Sequence, residues 1–338
     1  MAYTVNQSQI AAERILDGVS RQRLMTNQSN QSASIELDQI TLAAGASLPI
    51  RNGSEDLAWF QILQGDISLS AIDDEYQMTE SHVCFVPPNF SGEAKSGGGA
   101  VVLYARVPEA SRFDPEILSS ARNIKVVDWS KEPVLSSEHD ARKRIYLVTP
   151  KLFGTKAIKG EMIIYPPGTE AANHHHEGAE HFMFVLSGSG TAWANEKPFV
   201  VRKGDLIWYA DCERHYLRSD DGIEMRFVEF LVPGVYKTTW APGAMVCTWA
   251  PTGKNIQGGE AARAIAHHRS DAGTPLDVCK AIDASGIKFD QMIHEFGEKG
   301  WTHLSFAPAL RQQKLTIFRP QNKYAIGLLT QDEYNKSV

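Results

Sequence analysis

The fold of this chain is decided by the stretch HHHEGAEH at residues 174–181, which is followed by FMFVLSG at residues 182–188. His174 and His176 are two residues apart, so in a strand their side chains point to the same face. The sequence Glu-Gly-Ala-Glu can then turn the chain, and His181 opens the next strand. Neutral imidazoles that converge on one point are typical ligands of Fe, Mn, Ni, Cu or Zn. The stretch therefore predicts a metal site between two strands.

The spacing of the histidines and glycines resembles the two motifs of the cupin superfamily. The first motif is a Gly, five residues, His-x-His, a third ligand and a closing Gly, and here it runs from Gly168 to Gly188. The second motif supplies one more histidine, and here GDLIWY at residues 204–209 precedes His215. The resemblance implies a jelly-roll barrel. It also implies one divalent transition metal ion, with Fe(II) favoured and Mn(II) second, held by His174, His176, His181 and His215.

One alternative concerns the third ligand. If the spacing is one residue looser, Glu180 is the ligand and His181 lies behind it. Glu180 is also the candidate catalytic acid or base, because it neighbours the ligands. Glu177 is a weaker candidate for this role, since a turn carboxylate is ordinarily solvated.

Further side chains are expected to form the substrate pocket. Alternation along the strands predicts that Met183, Trp193 and Tyr209 line an apolar cavity. Arg226 lies in a strand whose alternate members face the cavity, where it would meet an anionic substrate. Arg144 and Lys159 lie in strands that lead into the barrel. Exposure to solvent is the simpler expectation for these two residues and for Arg226.

The first half of the chain repeats the rhythm of the second, which predicts an internal duplication. The segments that correspond in the two halves are 42–45 with 164–168, 60–65 with 184–188, and 86–89 with 208–211. In the first copy Arg51, Gly53 and Ala58 stand where His174, His176 and His181 stand in the second, and Phe90-Ser91-Gly92 stands in place of the last histidine. The first barrel is therefore expected to lack metal and to pack against the second. Arg51 offers the alternative that a second pocket binds a carboxylate.

The predicted fold class is all-β, with two cupin barrels in one chain and a mixed α/β tail. The expected divisions are an N-terminal arm at 1–35 with helical or loose structure, a metal-free cupin at 36–125, a metal-binding cupin at 126–240, and a C-terminal extension at 241–338. Helical spacing from Gln9 to Leu16 is the basis for the arm's assignment.

Composition excludes several classes of protein. The chain has 338 residues and a formal net charge of −6 with no basic stripe, so nucleic acid is not an expected partner. No run approaches the roughly 18 apolar residues that span a bilayer, and the polar start lacks the apolar core of a signal peptide. Four widely spaced cysteines suggest reduced thiols. We expect a cytoplasmic protein, paired as a homodimer, with a small-molecule substrate.

Three functions fit these observations. The first is a non-haem Fe(II) dioxygenase that uses O2 on a small anionic or phenolic substrate. The second is a Mn-dependent hydrolase or lyase that resembles ureidoglycine aminohydrolase, on the strength of residues 180–188, the turn at 203–205 and the ligand-free first half. That family's Glu-x-His-x3-His ligand set is absent here, since His175 and Glu177 fall at the first two positions. The third is a non-catalytic cupin that binds a ligand or a metal.

Overall fold

The computed structural model describes residues 2–26, 34–71, 74–118, 124–149, 153–263, 274–297, 300–305 and 310–338. The chain forms two compact units, residues 1–263 and residues 264–338. Almost all regular structure in the first unit is β-strand, interrupted by short 3-10 helices at Gln7–Gln9, Ala110–Arg112, Pro115–Leu118 and Trp129–Lys131. None of the described helices is long and apolar enough to cross a membrane.

The first barrel is built mainly from the first eleven strands. Their bounds are β1 Tyr3–Asn6, β2 Glu13–Leu16, β3 Val19–Met25, β4 Glu36–Leu42, β5 Ser47–Arg51, β6 Leu57–Ser70, β7 Glu75–Thr79, β8 His82–Val86, β9 Ser91–Lys95, β10 Ala100–Val107 and β11 Lys125–Asp128.

The second barrel uses the next twelve strands. Their bounds are β12 Val134–Ser137, β13 Lys143–Val148, β14 Lys159–Tyr165, β15 His174–Glu177, β16 Glu180–Ser187, β17 Ser189–Ala194, β18 Lys197–Arg202, β19 Asp205–Tyr209, β20 His215–Ser219, β21 Met225–Val232, β22 Lys237–Trp240 and β23 Trp249–Pro251.

The two barrels have the same topology, as the internal duplication predicts. The larger sheet runs β3-β4-β10-β6-β8 in the first barrel and β13-β14-β21-β16-β19 in the second, with antiparallel pairing throughout. The opposite wall pairs β5 with β9 in the first barrel and β15 with β20 in the second. The all-β, two-barrel architecture is confirmed.

Period-two alternation along the strands explains where the cores lie. On β16, Met183 and Val185 point into the second barrel, whereas Phe182 and Phe184 point to the other face and join a core shared by the two barrels. In that shared core the ring centroids of Trp59 and Phe230 are 4.1 Å apart. The barrels therefore cover each other's larger sheets, and burial on both faces explains the continuous apolar run after His181.

The prediction of a helical or loose N-terminal arm is wrong. β1 adds to the second barrel beside β19, and β2 and β3 form a hairpin that extends the first barrel's sheet beside β4. Gly18 makes the hairpin turn with a positive φ of 66°. Local helical spacing in this segment is overridden by sheet edges that need hydrogen-bond partners.

Two predicted boundaries also move. β11 pairs with β8 of the first barrel, so the division at 125 falls inside a strand. β22 and β23 pair with β15 and β12 of the second barrel, so the division at 240 falls inside the first compact unit, which ends at Arg263.

The C-terminal unit is mixed α/β in its described part, as expected. The helix Pro275–Ala284 begins at Thr274, whose side chain accepts from the backbone N–H of Asp277 in a capping box. A four-stranded sheet runs β25-β24-β26-β27, and a short helix follows at Gln331–Asn335. The strand bounds are β24 Gln291–Glu295, β25 Trp301–Ser305, β26 Gln313–Ile317 and β27 Ala325–Ile326.

Candidate metal centre

Four histidines converge inside the second barrel. His174 and His176 lie on β15, His181 on β16 and His215 on β20. One ring nitrogen from each of His174, His176 and His215 lies within 4.8 Å of the others. The ring of His181 is 4.8 Å, between centroids, from the rings of both His176 and His215. Nδ1 of His181 lies 2.9 Å from Nε2 of His215, which joins this ring to the other three.

Hydrogen bonds outside the cluster fix which nitrogen of three rings faces inward. Nδ1 of His174 lies 2.8 Å from the carbonyl oxygen of Ala172, and Nδ1 of His215 lies 2.8 Å from that of Glu213. A carbonyl oxygen can only accept, so both Nδ1 atoms carry hydrogen. Nδ1 of His176 is 3.2 Å from Oγ1 of Thr238. The Nε2 lone pairs of His174 and His215 are thus left for a metal, the orientation that backbone partners impose on ligating histidines, and Nε2 of His176 is the nitrogen turned away from Thr238.

His181 completes the cluster through its other nitrogen. Its Nε2 lies 3.1 Å from a carboxylate oxygen of Glu229, which fixes the hydrogen on Nε2, and its Nδ1 lies 2.9 Å from Nε2 of His215. Two neutral imidazoles in these tautomers present lone pairs to each other. Such a contact requires a cation in common, either an added proton or a metal ion. Two nitrogens bound at right angles to one ion at about 2.1 Å lie about 3.0 Å apart, so the residues fit a metal.

Burial keeps the rings of His174, His176 and His215 neutral at neutral pH. It lowers the pKa of His174 to about 4, and it holds the pKa values of His176 and His215 further below the usual 6.5. Burial would raise the pKa of Glu229, but the hydrogen bond from His181 together with the nearby charges of Arg144 and Lys159 outweighs it, and the pKa falls to about 2. The cluster therefore offers three neutral nitrogen donors, and an ionised carboxylate contacts the fourth ring.

The histidines open into a cavity of about 300 Å3 that also contains buried cations. Arg144 and Lys159 form ion pairs of 2.6 and 2.5 Å with the two oxygens of Glu161, whose exposure is 0%. Arg142 pairs with Asp140 at 2.7 Å. Burial alone would lower the pKa of Lys159, yet Glu161, together with Tyr236 and Tyr146, raises it above its ordinary value, so the ammonium stays charged. A divalent ion would leave this cavity positive, which favours an anionic ligand.

Aromatic rings form much of the remaining wall. Tyr165, Tyr236, Trp240 and Trp249 line the cavity together with Met183. The ammonium of Lys159 donates to the hydroxyl oxygen of Tyr236 at 2.8 Å, and the ring of Tyr236 meets that of His176 edge-on at 4.9 Å between centroids. The Tyr236 hydroxyl therefore keeps its own hydrogen to donate.

The structure corrects the placement of Glu180. It points away from the histidines, because it precedes His181 on β16 and alternate residues face opposite sides. Its carboxylate accepts from the backbone N–H and hydroxyl of Ser34 and from Nε1 of Trp208. Glu180 is thus neither a ligand nor a catalytic acid in this geometry. Glu177 is held at the surface by Lys237 and Thr239.

The predicted pocket residues divide between two places. Met183 lines the cavity, and Tyr209 stacks on His215 at 4.3 Å between centroids and so supports a ligand. Trp193 is misplaced by the prediction, since it stacks on Tyr216 on the face of β17 opposite the buried Ala192 and Ala194.

Arg226 was the basic candidate for the substrate pocket, but the structure places Arg144 and Lys159 there instead. Arg226 pairs with Glu224 at 2.7 Å and lines a different depression, whereas Arg144 and Lys159 are inside the cavity with side-chain exposures of 19% and 18%. Sequence reasoning also missed Glu229, although a lone carboxylate within the apolar run of β21 is the signal that could have found it.

Comparisons with known proteins agree with this architecture. A family model described as "Cupin domain" matches residues 161–231. The structure of protein Ylba from E. coli is similar with a TM-score of 0.57 and 14% identity, covering 69% of this chain and 91% of that one. Oxalate decarboxylase, including a variant of the Bacillus subtilis enzyme, is similar with a TM-score of 0.57 and 13–14% identity, covering 70% of this chain and 78% of the other. No curated protein matches the sequence.

At such low identity the structural likeness speaks for the fold alone, and it agrees with the family match and with the repeated topology. Residues 161–231 match the cupin domain family, and the chain as a whole has the two-barrel fold that the similar structures share.

Proposed function

We propose that this protein is a metal-dependent enzyme that acts on a small organic anion in the second barrel. The observation that carries the proposal is the convergence of His174, His176 and His215, each with a ring nitrogen within 4.8 Å of the others, with Nδ1 of His181 2.9 Å from Nε2 of His215.

The residues that would hold the ion are His174, His176 and His215 through Nε2 and His181 through Nδ1. When bound, a divalent ion would supply a Lewis acid and, as Fe(II), an electron donor that can activate O2. Glu229 holds His181 in the tautomer that a ligand needs.

The cavity's own residues would bind and orient the substrate. Arg144 and Lys159 are the charged groups that a substrate carboxylate would meet, and Glu161 keeps both in place. The Tyr236 hydroxyl, which accepts from Lys159, would donate its hydrogen to an oxygen of the substrate and stabilise negative charge there. The aromatic wall excludes water from these interactions.

Among reactions, Fe(II)-dependent dioxygenation of an aromatic or phenolic acid is the first candidate. Cations beside Tyr236, Trp240 and Trp249 suit a planar anion that stacks on rings while its charged group is paired. The second candidate is a Mn-dependent hydrolase or lyase reaction. It is supported by the likeness in fold to oxalate decarboxylase, for which Mn(II) centres are described.

The test is to load metal-free protein with Fe(II) or Mn(II) and follow O2 uptake and substrate loss with a panel of carboxylic and phenolic acids. O2 uptake that matches substrate loss with Fe(II), and that is absent from His176→Ala, supports dioxygenation. Turnover with Mn(II) without O2 uptake supports the second candidate. Metal binding without turnover of any acid would refute the enzyme proposal and leave a binding protein.

A further inference from the structure

The first barrel contains a cavity at the place where the second barrel holds its histidines. It has a volume of about 220 Å3 and is lined by four arginines together with Glu36, Asp38, Tyr104 and apolar side chains. The four arginines are Arg21, Arg23, Arg51 and Arg106.

Strand pairing shows that the two cavities are equivalent. Arg51 pairs with Ser91 at the start of β9, just as His174 pairs with His215 at the start of β20. In the facing sheet, Ala58 pairs with Arg106 where the second barrel pairs His181 with Leu231. The position of one histidine is thus taken by Arg51, and a second arginine projects beside the position of another.

The equivalence continues deeper into the barrel. Asp38 faces Tyr104 across β4 and β10, as Glu161 faces Glu229 across β14 and β21. Asp38 and Tyr104 are therefore the counterparts of the two carboxylates that support the metal centre. The first barrel keeps the cavity and its polar floor, and guanidinium groups replace the imidazoles.

The charges in this cavity are not fully paired. Glu13 is the partner of both Arg21 and Arg23, and Glu36 is the partner of Arg106. Asp38 is 4.0 Å from Arg21. Within the part of the chain that the structure describes, Arg51 has no ion-pair partner. Arg21 and Arg23 thus share the carboxylate of Glu13. Among the described residues, the guanidinium of Arg51 is left to pair with an anion.

We infer that the first barrel is a second binding site, which takes a small organic carboxylate through Arg51 and the neighbouring Arg21 and Arg106. The planar guanidinium matches a carboxylate in a two-point contact, and a concave site beside apolar Ile40 and Leu48 would hold the carbon part. This inference concerns the first barrel alone and does not depend on the reaction in the second.

The inference is tested by titrating the full-length protein with succinate in a calorimeter, with uncharged succinamide as the control ligand. We expect saturable binding of succinate and none of succinamide. Arg51→Gln should weaken succinate binding at least about tenfold, because a charge-assisted hydrogen bond contributes more than one tenfold step in affinity. Arg51→Lys keeps the charge without the planar fork and should give an intermediate affinity.

Arg218→Gln is the matched control, because Arg218 is also an exposed arginine of a barrel strand but pairs with Asp221. It should bind succinate as the unchanged protein does. Unchanged affinity in Arg51→Gln would overturn the inference, as would the absence of saturable binding at millimolar succinate. Tighter binding of inorganic phosphate than of succinate would overturn the assignment to carboxylates.

Discussion

Nδ1 of His181 and Nε2 of His215 face each other at 2.9 Å inside the second barrel, and each ring's other nitrogen is already committed to an acceptor. Glu229 and the carbonyl of Glu213 are those acceptors. The hydrogen-bond pattern therefore leaves no hydrogen for the contact between two neutral rings. This relationship links the polar environment of the cluster to the cation it would bind.

Replacing Glu229 tests the link between the carboxylate and the metal. In Glu229→Gln the amide can present an N–H to Nε2 of His181, which removes the preference for the tautomer that a ligand needs. Metal affinity should fall about 10–100-fold, the usual cost of losing the partner of a ligating histidine. Competition with a chelator of known affinity measures the change.

The control for this variant is Glu224→Gln, whose side chain is 43% exposed and pairs with Arg226 outside the cavity. Its metal affinity should match that of the unchanged protein. Equal affinities in Glu229→Gln and Glu224→Gln would mean that the carboxylate does not orient His181.

Asp38 gives the first barrel a predicted pH dependence. Burial raises its pKa from 3.8 to about 6, against the lowering influence of Arg21 and Arg23. Between these values the folded state holds a proton that the unfolded state has lost, so the free energy of unfolding falls as the pH rises through about 4 to 6. Asp38→Asn should therefore be more stable than the unchanged protein at pH 8, by at most about 3 kcal/mol.

Chemical denaturation at pH 4 and at pH 8 measures this effect. The difference between Asp38→Asn and the unchanged protein should shrink towards acid pH, where both states carry the proton. A difference that is the same at both pH values would show that Asp38 ionises alike in the folded and unfolded chains.

The sequence predicted correctly those parts of the fold and the site that depend on residues close together in the chain. The two-residue period places His174 and His176 on one face, and the closing Gly188 sets the register that puts His181 inward and Glu180 outward. Trp193 was placed wrongly because alternation along β17 does not say which of its two faces is buried. The larger side chain was expected to face inward, but the small Ala192 and Ala194 do. β1 was missed because its partner, β19, lies about 200 residues away in the sequence, whereas the hairpin of β2 and β3 was missed because the segment also has helical spacing.

The buried charges were the least predictable part of the site. Arg144, Lys159 and Glu161 stabilise one another across two strands, and each taken alone has the composition of a surface residue. Only the pairing of β13 with β14 brings them together. Their burial follows from tertiary contacts that no local pattern records.

Gly188 closes the first motif for a steric reason that can be measured. Its φ is 80°, and a Cβ at this position would lie 2.3 Å from the carbonyl oxygen of Glu224. Gly222 has a similar φ of 82° but nothing within 4 Å of an added Cβ. Gly188→Ala should lower the free energy of unfolding by about 2–5 kcal/mol, and Gly222→Ala by about 1–2 kcal/mol from the backbone conformation alone. Equal losses of stability in thermal denaturation would rule out the steric explanation.

Glu161 is expected to stabilise the second barrel by neutralising two buried cations. Glu161→Ala leaves Arg144 and Lys159 without their shared partner and should cost about 3–5 kcal/mol in the free energy of unfolding. Glu177→Ala, which breaks an exposed pair with Lys237, should cost less than about 1 kcal/mol. Denaturant titration compares the two, and a larger loss in Glu177→Ala would contradict the role given to Glu161.

The most direct test of the metal centre is elemental analysis of the purified, untagged protein beside two histidine variants. His176→Ala removes a proposed ligand, and His294→Ala removes a buried histidine of the C-terminal unit whose Nδ1 bonds the carbonyl oxygen of Leu329. We predict about one divalent ion per chain in the unchanged protein and in His294→Ala, and loss of most metal from His176→Ala. Equal metal in both variants, or no metal in the unchanged protein even after reconstitution, would contradict the assignment of this cluster as a metal site.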